Sequence, residues 1–267
     1  MNIITGLPRS GSTLLCNILN QNPRFWATST SALPRLCSVI VGAWSTSLEI
    51  KGDLNSDRKE TENRLHRSLK AFCDAWHHRD DDREVIFDKS RGWAHHLLML
   101  RKIYPESKII VTIRDLREVY ASIEKQHRKN PLFDEANTPI AKTIMGRAQA
   151  MFANNGIVGG PLNGIYDIIN RQIPVSFIQY EKLVDRPEAG MKELYNYLEE
   201  EHFEHNFDDI QNTAIDPDAF YLNKFPHDGS GKIEPPPIDA WKEYVTAPVA
   251  HHIMSSHAYF NNFFGYR

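Results

Sequence analysis

Short apolar runs alternate with stretches of helical periodicity along the first half of the chain. Residues 2–5, 85–87 and 108–113 form such runs, and the last of them, KIIVTI, is continuously apolar at its centre. Continuous apolar runs are typical of strands buried on both faces of a parallel sheet. Residues 56–77 carry apolar side chains at helical spacing and predict the clearest surface helix. Strands that alternate with helices predict an α/β fold with a parallel sheet.

The second half of the chain is less regular. Residues 175–179 predict a fourth strand, and residues 188–199 predict a helix after it. Residues 216–237 are rich in Pro, Gly and Asp and predict a long loop, a feature that often covers a functional site. No repeat or linker divides the chain, so we expect one domain over residues 1–267. Further helices are predicted at residues 12–19, 92–104, 116–127 and 139–153, and from Ile238 onward.

Composition narrows the classes of function. The chain has 267 residues, with 31 Lys and Arg against 34 Asp and Glu, so its formal net charge is −3. A general nucleic-acid binder usually carries a basic excess, so we expect no nucleic-acid partner and only a local site for anions. The three cysteines form no CxxC pair, which argues against a structural zinc site and a disulfide framework.

The sequence also carries an expectation about location. It shows neither a signal peptide nor an apolar run long enough to span a membrane. A few cysteines without a disulfide pattern fit a reducing compartment. We therefore expect a soluble, cytoplasmic protein without a membrane anchor, in a bacterial or viral setting.

The segment GLPRSGST at residues 6–13 follows the first strand and opens the first helix. Gly6 and Gly11 allow a tight turn, and the amides of the loop can point at an anion at the helix N-terminus. The spacing fits the phosphate loop G-x-x-x-x-G-K-[ST], but Ser12 stands in place of the lysine, which disfavours ATP or GTP hydrolysis. Arg9 can instead clamp a phosphate or sulfate without a metal. The alternative interpretation is a strand–helix turn that binds no ligand.

A second anion element follows the third strand. Arg114 stands directly after KIIVTI, and Ser122 lies eight residues further on. The carboxyl ends of strands are where open α/β sheets bind ligands, so this pair can hold a second phosphate at some distance from the first loop. The alternative is that Arg114 pairs with Asp115 or Glu118 on the surface while Ser122 simply packs.

These two elements, in this order, resemble the donor site of sulfotransferases that use 3′-phosphoadenosine 5′-phosphosulfate (PAPS). The resemblance implies a P-loop three-layer α/β fold with a central, mostly parallel sheet flanked by helices. It also implies transfer of a sulfuryl group from PAPS to an acceptor hydroxyl or amine, release of adenosine 3′,5′-bisphosphate (PAP), and no metal. The 3′-phosphate would be held by Arg114 and Ser122, and the 5′-phosphosulfate by Arg9, Ser10, Gly11, Ser12 and Thr13.

Three further residues extend the resemblance. Lys89, in the segment DKS, resembles a lysine of tyrosylprotein and heparan N-sulfotransferases that would stabilise the leaving oxygen. Tyr180, in YEKLV, resembles a tyrosine near the nucleotide, and Lys232 resembles a lysine that closes over the nucleotide. The alternatives are that Lys89 pairs with Asp88 at the surface and that Tyr180 is a core residue.

The general base expected of such an enzyme is missing from its family positions. Residues 28–31 read TSTS where tyrosylprotein sulfotransferases have a glutamate, and Arg91 stands where cytosolic sulfotransferases have a histidine. Nearby groups that can accept a proton are His95, His96 and Asp88. Of these, His95 is our candidate for the catalytic role.

The missing base leaves the acceptor and two other classes of function open. The acceptor can be a small molecule, a carbohydrate or a peptide, and a homodimer is compatible with the sequence. A P-loop kinase or NTPase would instead depend on ATP and Mg²⁺. A non-catalytic nucleotide-binding relative would keep the fold without turnover.

Overall fold

The computed structural model describes residues 1–78, 81, 83–129, 142–216, 218, 226 and 229–267. Within them, five parallel strands form one sheet in the order β2-β3-β1-β4-β5. Helices flank the sheet, so the predicted α/β fold class with a parallel central sheet is confirmed. The strands are β1 (Asn2–Gly6), β2 (Phe25–Thr30), β3 (Val85–Lys89), β4 (Ile109–Ile113) and β5 (Ser176–Gln179).

Helices connect the strands and extend beyond them. None of the helices in the described part of the chain is long and apolar enough to cross a membrane. The α-helices are α1 (Ser12–Leu19), α2 (Leu33–Thr46), α3 (Leu48–Ser56), α4 (Arg58–Trp76), α5 (Leu97–Ile103), α6 (Leu116–Lys129), α7 (Ile144–Phe152), α8 (Gly159–Asn170), α9 (Tyr180–Asp185), α10 (Pro187–Leu198), α11 (Ala247–Ser256) and α12 (Ala258–Phe264), with 3₁₀ turns at Arg91–His95 and Ala240–Glu243.

The core lies on both faces of the sheet. Successive side chains of a strand point to opposite faces, so Ile3 and Ile4 of β1, both fully buried, belong to different hydrophobic clusters. The cluster around Ile4 contains residues of α1 and α10, whereas the cluster around Ile3 contains residues of α4, α5, α6, α8 and α11. The central strands are therefore mostly apolar, and their buried polar residues, Thr5, Asp88, Lys89 and Thr112, lie towards their carboxyl ends.

The structure departs from the predicted elements in several places. Strand β2 and helices α2 and α3 were not predicted; β2 is an edge strand whose second half reads Thr-Ser-Thr, so its apolar signal is short. The helix predicted at 92–104 is split, because Trp93 bonds back to Asp88 in a 3₁₀ turn before α5 begins. The helix predicted from Ile238 starts at α11, after the prolines of residues 235–237 and a 3₁₀ turn. In the helix predicted at 139–153, residues 139–141 lie outside the described residues.

Gly6 ends β1 in a position that only glycine fits. Its φ is +136°, and a Cβ atom there would lie 2.1 Å from the carbonyl oxygen of Thr112 in β4. The next amide, of Leu7, donates to the same carbonyl at 3.0 Å. The missing side chain therefore lets the chain turn away from the sheet while it stays bonded to β4.

We expect Gly6→Ala to destabilise the protein by about 3 kcal/mol or more, because it adds backbone strain to a clash with a fixed carbonyl. The measurement is the free energy of unfolding in urea. The matched control is Gly52→Ala in α3, where an added Cβ meets nothing within 4 Å. That control is expected to stabilise the protein by about 0.5–1 kcal/mol. Equal effects of the two substitutions would contradict this account.

Candidate functional site

The loop between β1 and α1 is fixed by its own hydrogen bonds and leaves backbone amides available to a ligand. Gly11 has φ +82° and Arg9 has φ +59°, so the chain turns sharply into α1. The Ser10 hydroxyl donates to the carbonyl of Leu7 at 2.7 Å and lies 2.7 Å from Thr112 Oγ1. Its side chain therefore fixes the loop, and it is the Ser10 amide that remains for an anion. The first amides of α1 lack partners within the helix, as at every helix N-terminus.

Tyr180 packs against both the loop and Arg114. A Cβ at Gly11 would come within 2.5 Å of Tyr180 Cδ2, so the ring packs directly on the loop. The Arg114 guanidinium lies over the other part of the site, 4.2 Å from the centre of the same ring. The predicted tyrosine thus contacts both anion elements.

Arg9, Arg114 and Ser122 form one cluster. Arg9 Nε donates to Ser122 Oγ at 3.0 Å, and Arg114 Nη1 donates to the carbonyl of Arg9 at 3.1 Å. Burial and the neighbouring charge of Arg114 lower the pKa of Arg9. Arg114 faces Glu118 at 3.5 Å, with both side chains largely buried, so the predicted alternative of a surface ion pair does not describe it. Arg9, placed in the first loop by sequence, thus reaches the second anion element.

Lys89 approaches the loop from β3. Its ammonium donates to Thr13 Oγ1 at 2.9 Å and to Asp216 Oδ2 at 2.7 Å, and its side chain is 5% exposed. The predicted alternative, a surface pair with Asp88, is wrong, because adjacent strand residues face opposite sides of the sheet. The lysine and the loop therefore meet at a buried carboxylate that the sequence analysis did not identify.

Three groups in the described part of the chain donate hydrogen bonds to Asp216. Besides Lys89, its Oδ2 accepts from Thr13 Oγ1 at 3.1 Å, and its Oδ1 accepts from the amide of Thr30 at 2.6 Å. Burial raises the pKa of the Asp216 carboxyl, but the charge and hydrogen bond of Lys89 and the bond from Thr30 outweigh it and lower the pKa to about 2. The group is therefore a carboxylate at neutral pH.

Asn17 of α1 holds the segment that positions Asp216 beside Lys89. Its side-chain oxygen accepts from the amides of Thr213 at 3.0 Å and Ala214 at 2.8 Å, and its nitrogen donates to the carbonyl of Gly229 at 3.0 Å. Asn17 stands one helical turn after Thr13, so both face the same segment. The spacing of Thr13 and Asn17 indicates in the sequence that they share one helix face. Nothing local in the sequence identifies their partners, which lie some 200 residues away.

The remaining predicted residues lie apart from this centre. Asp88 is fully buried, accepts from Trp93 Nε1 at 2.5 Å and lies 2.9 Å from His77 Nε2, so it is not exposed to an acceptor. His95 is exposed at the end of the turn that follows β3. Lys232 is exposed and forms an ion pair with Asp208 at 3.1 Å. Its predicted contact with a nucleotide stays a prediction.

The arrangement suits a ligand with two anionic ends. Arg114 Nε is buried and has no hydrogen-bond partner in the part of the chain described by the structure. A buried guanidinium nitrogen without an acceptor, beside a second guanidinium, is the chemistry of a site for a phosphate. The loop amides and Lys89 bring a second set of donors together. Among the described residues, no cluster of His, Cys, Asp and Glu has the form of a metal site.

Comparison with known proteins identifies a family. The model of the family described as "Sulfotransferase family" matches residues 3–205, more than half of the chain. No curated protein sequence matches the chain.

Solved structures show the same fold. The sulfotransferase domain of the Synechococcus PCC 7002 olefin synthase is 18% identical, with a TM-score of 0.57 over 97% of this chain and 94% of that chain. The sulfotransferase domain from the curacin biosynthetic pathway is 18% identical, with a TM-score of 0.52 over 97% of both chains. Mouse sulfotransferase SULT7A1, complexed with PAP, is 13% identical, with a TM-score of 0.52 over 95% of this chain and 80% of that chain.

The low pKa of Asp216 predicts acid-sensitive stability. A carboxyl whose pKa is lowered from 3.8 to about 2 on folding stabilises the protein above pH 4, and this contribution is lost as the pH falls towards 2. The measurement is the free energy of unfolding of the wild type and of Asp216→Asn at several pH values. We expect the difference between them to shrink by about 1 kcal/mol from pH 6 to pH 3. A difference that stays constant over this range would contradict the assignment.

Proposed function

Because this chain belongs to the sulfotransferase family, whose reaction is PAPS-dependent sulfuryl transfer, we propose how its residues divide the donor between two sites. The observation that carries the proposal is the presence of two sets of cationic groups, Lys89 beside Thr13 of α1 and the cluster of Arg9 and Arg114 beside Ser122. PAPS has an anionic group at each end of its ribose, at the 3′ and 5′ positions. ATP lacks the 3′ group, and Ser12 lacks the ammonium of a P-loop lysine, so the kinase alternative is not favoured.

The 3′-phosphate would bind at Arg114, Ser122 and Arg9. Two guanidiniums give fork-shaped donors to a tetrahedral anion, and the Ser122 hydroxyl, which now accepts from Arg9 Nε, can rotate to donate. Glu118, at 3.5 Å from Arg114, neutralises only part of this charge. Tyr180 supports the Arg114 guanidinium, which lies 4.2 Å from the centre of its ring.

The 5′-phosphosulfate would bind at the N-terminus of α1. The amides from Ser10 to Thr13 would donate to its oxygens, because the Ser10 hydroxyl is held inside the loop. Lys89 would lie beside its bridging oxygen. When bound, the donor supplies an activated sulfuryl group whose transfer leaves negative charge on that oxygen, and a fixed ammonium in a buried site stabilises such charge.

The acceptor hydroxyl or amine must lose a proton as the new bond to sulfur forms. We propose His95 as the group that takes this proton, because its exposed imidazole lies in the turn directly after the strand that carries Lys89. The acceptor would be a small molecule, a carbohydrate or a peptide.

Calorimetric titration of the wild type and of Arg114→Ala tests the two-site assignment. The ligands are PAP, adenosine 3′-monophosphate, adenosine 5′-monophosphate and ATP with Mg²⁺. We expect the wild type to bind PAP more tightly than ATP. Arg114→Ala should weaken PAP and the 3′-monophosphate by about 2 kcal/mol, the scale of lost hydrogen bonds to a charged group, and leave the 5′-monophosphate unchanged.

The matched control for charge is Arg171→Ala, which removes an exposed arginine paired with Asp167 on α8. It should leave the affinity for all four ligands unchanged. A wild type that does not bind PAP, or an Arg114→Ala variant that loses the 5′-monophosphate as strongly as the 3′-monophosphate, would overturn the assignment.

A further inference from the structure

Three hydrogen-bond donors converge on the carboxylate of Asp216. They are the Lys89 ammonium at 2.7 Å, the Thr13 hydroxyl at 3.1 Å and the Thr30 amide at 2.6 Å. An ammonium, a hydroxyl in the first turn of a helix and a backbone amide are the same kinds of group that bind phosphate and sulfate oxygens. The carboxylate therefore occupies an anion site that the chain itself has built.

The site is buried, and its two charged side chains stabilise each other. The side chains of Lys89 and Asp216 are 5% and 1% exposed. A buried ion loses its hydration, and the loss is tolerable only when a partner of opposite charge replaces the water. In the protein without ligand, Asp216 is that partner for Lys89. The sulfuryl donor needs Lys89 as well, so donor and carboxylate require the same ammonium.

The segment that carries Asp216 is firmly attached to α1. Ala214 is buried, and its amide bonds to Asn17 at 2.8 Å. Further back, Ile210 is buried and exchanges two backbone hydrogen bonds with Gly231, at 2.9 and 2.8 Å. These contacts end two residues before Asp216, so the carboxylate stays within reach of the site whether or not it holds Lys89.

We propose that Asp216 is a resident anion of the 5′ site. A ligand with a 5′-phosphate or 5′-phosphosulfate must either displace the Asp216 carboxylate from Lys89 or share Lys89 with it. This inference rests on the proposed function, because it takes Lys89 and the α1 N-terminus as the 5′ site. Asp216 lowers the affinity for every ligand with a 5′ anion, including the product PAP. Arg114 bonds to the Arg9 carbonyl and faces Glu118, whereas Asp216 bonds to Lys89, so we expect the affinity for a 3′-phosphate alone not to depend on Asp216.

The test compares Asp216→Asn and Asp216→Glu with the wild type by calorimetry, with PAP and the two adenosine monophosphates as ligands. Asp216→Asn removes the charge and should bind PAP and the 5′-monophosphate about tenfold more tightly, a gain of about 1.4 kcal/mol. Its affinity for the 3′-monophosphate should not change. Asp216→Glu keeps the charge and should bind all three ligands as the wild type does.

Weaker or unchanged binding of PAP by Asp216→Asn would overturn the inference, because a residue that only supports the fold or orients Lys89 gives that result. In that outcome the wild type still binds PAP, and the donor site stands. A wild type that binds no PAP would overturn both.

A second measurement covers the case in which Asp216→Asn is poorly folded. Asp216→Ala leaves space for an external anion among the three donors. Sodium sulfate should raise its melting temperature more than that of the wild type, relative to sodium chloride at the same ionic strength, and a variant that folds only with sulfate gives the same result in extreme form. Equal shifts in variant and wild type would overturn the inference.

Discussion

The whole site depends on the way in which the phosphate loop docks onto Thr112 of β4. The Thr112 carbonyl accepts from the Leu7 amide at 3.0 Å, its hydroxyl lies 2.7 Å from Ser10 Oγ, and Gly6 passes it too closely for any side chain. Arg114 follows two residues later in the same chain segment, so this docking also sets the position of the second anion element relative to the first. A loop fixed in this way presents its amides without reorganisation, which is the condition under which buried dipoles stabilise developing charge.

Three cations gather at one end of the sheet in a chain whose net charge is negative, and each is restrained by different means. Lys89 is neutralised by a buried carboxylate. Arg114 stacks on the Tyr180 ring and has a carboxylate only at 3.5 Å, whereas Arg9 donates to two neutral oxygens, those of Ser122 and Pro226. Lys89 therefore faces a carboxylate at 2.7 Å, which under the proposed function makes Asp216 a competitor for the 5′ end of the donor.

The parts of this site that are local in sequence were predictable, and the parts that depend on distant contacts were not. Strand, loop and helix follow one another within β1 and α1, and the carboxyl ends of adjacent parallel strands meet, so the loop and the Arg114–Ser122 pair were predictable together. Asp216 lies 127 residues from Lys89 inside a segment that reads only as loop, and no local pattern encodes their pairing. The inward turn of the Ser10 hydroxyl was missed for the same reason, since its hydrogen-bond partners lie in the loop backbone and in a neighbouring strand.

A lysine placed to stabilise a leaving group is itself a problem for the folded protein. It must be buried to act strongly, because water would screen its charge, yet a buried ammonium without a partner is destabilising by several kcal/mol. The fold therefore needs a counter-ion that pairs with the lysine when the donor is absent and that binds the lysine more weakly than the donor does. A single carboxylate fits this requirement, since a phosphosulfate brings more acceptor oxygens to the same amides. Asn17 of α1 anchors the segment that carries this carboxylate. The helix whose N-terminus would bind the donor therefore also holds the counter-ion of Lys89 in place.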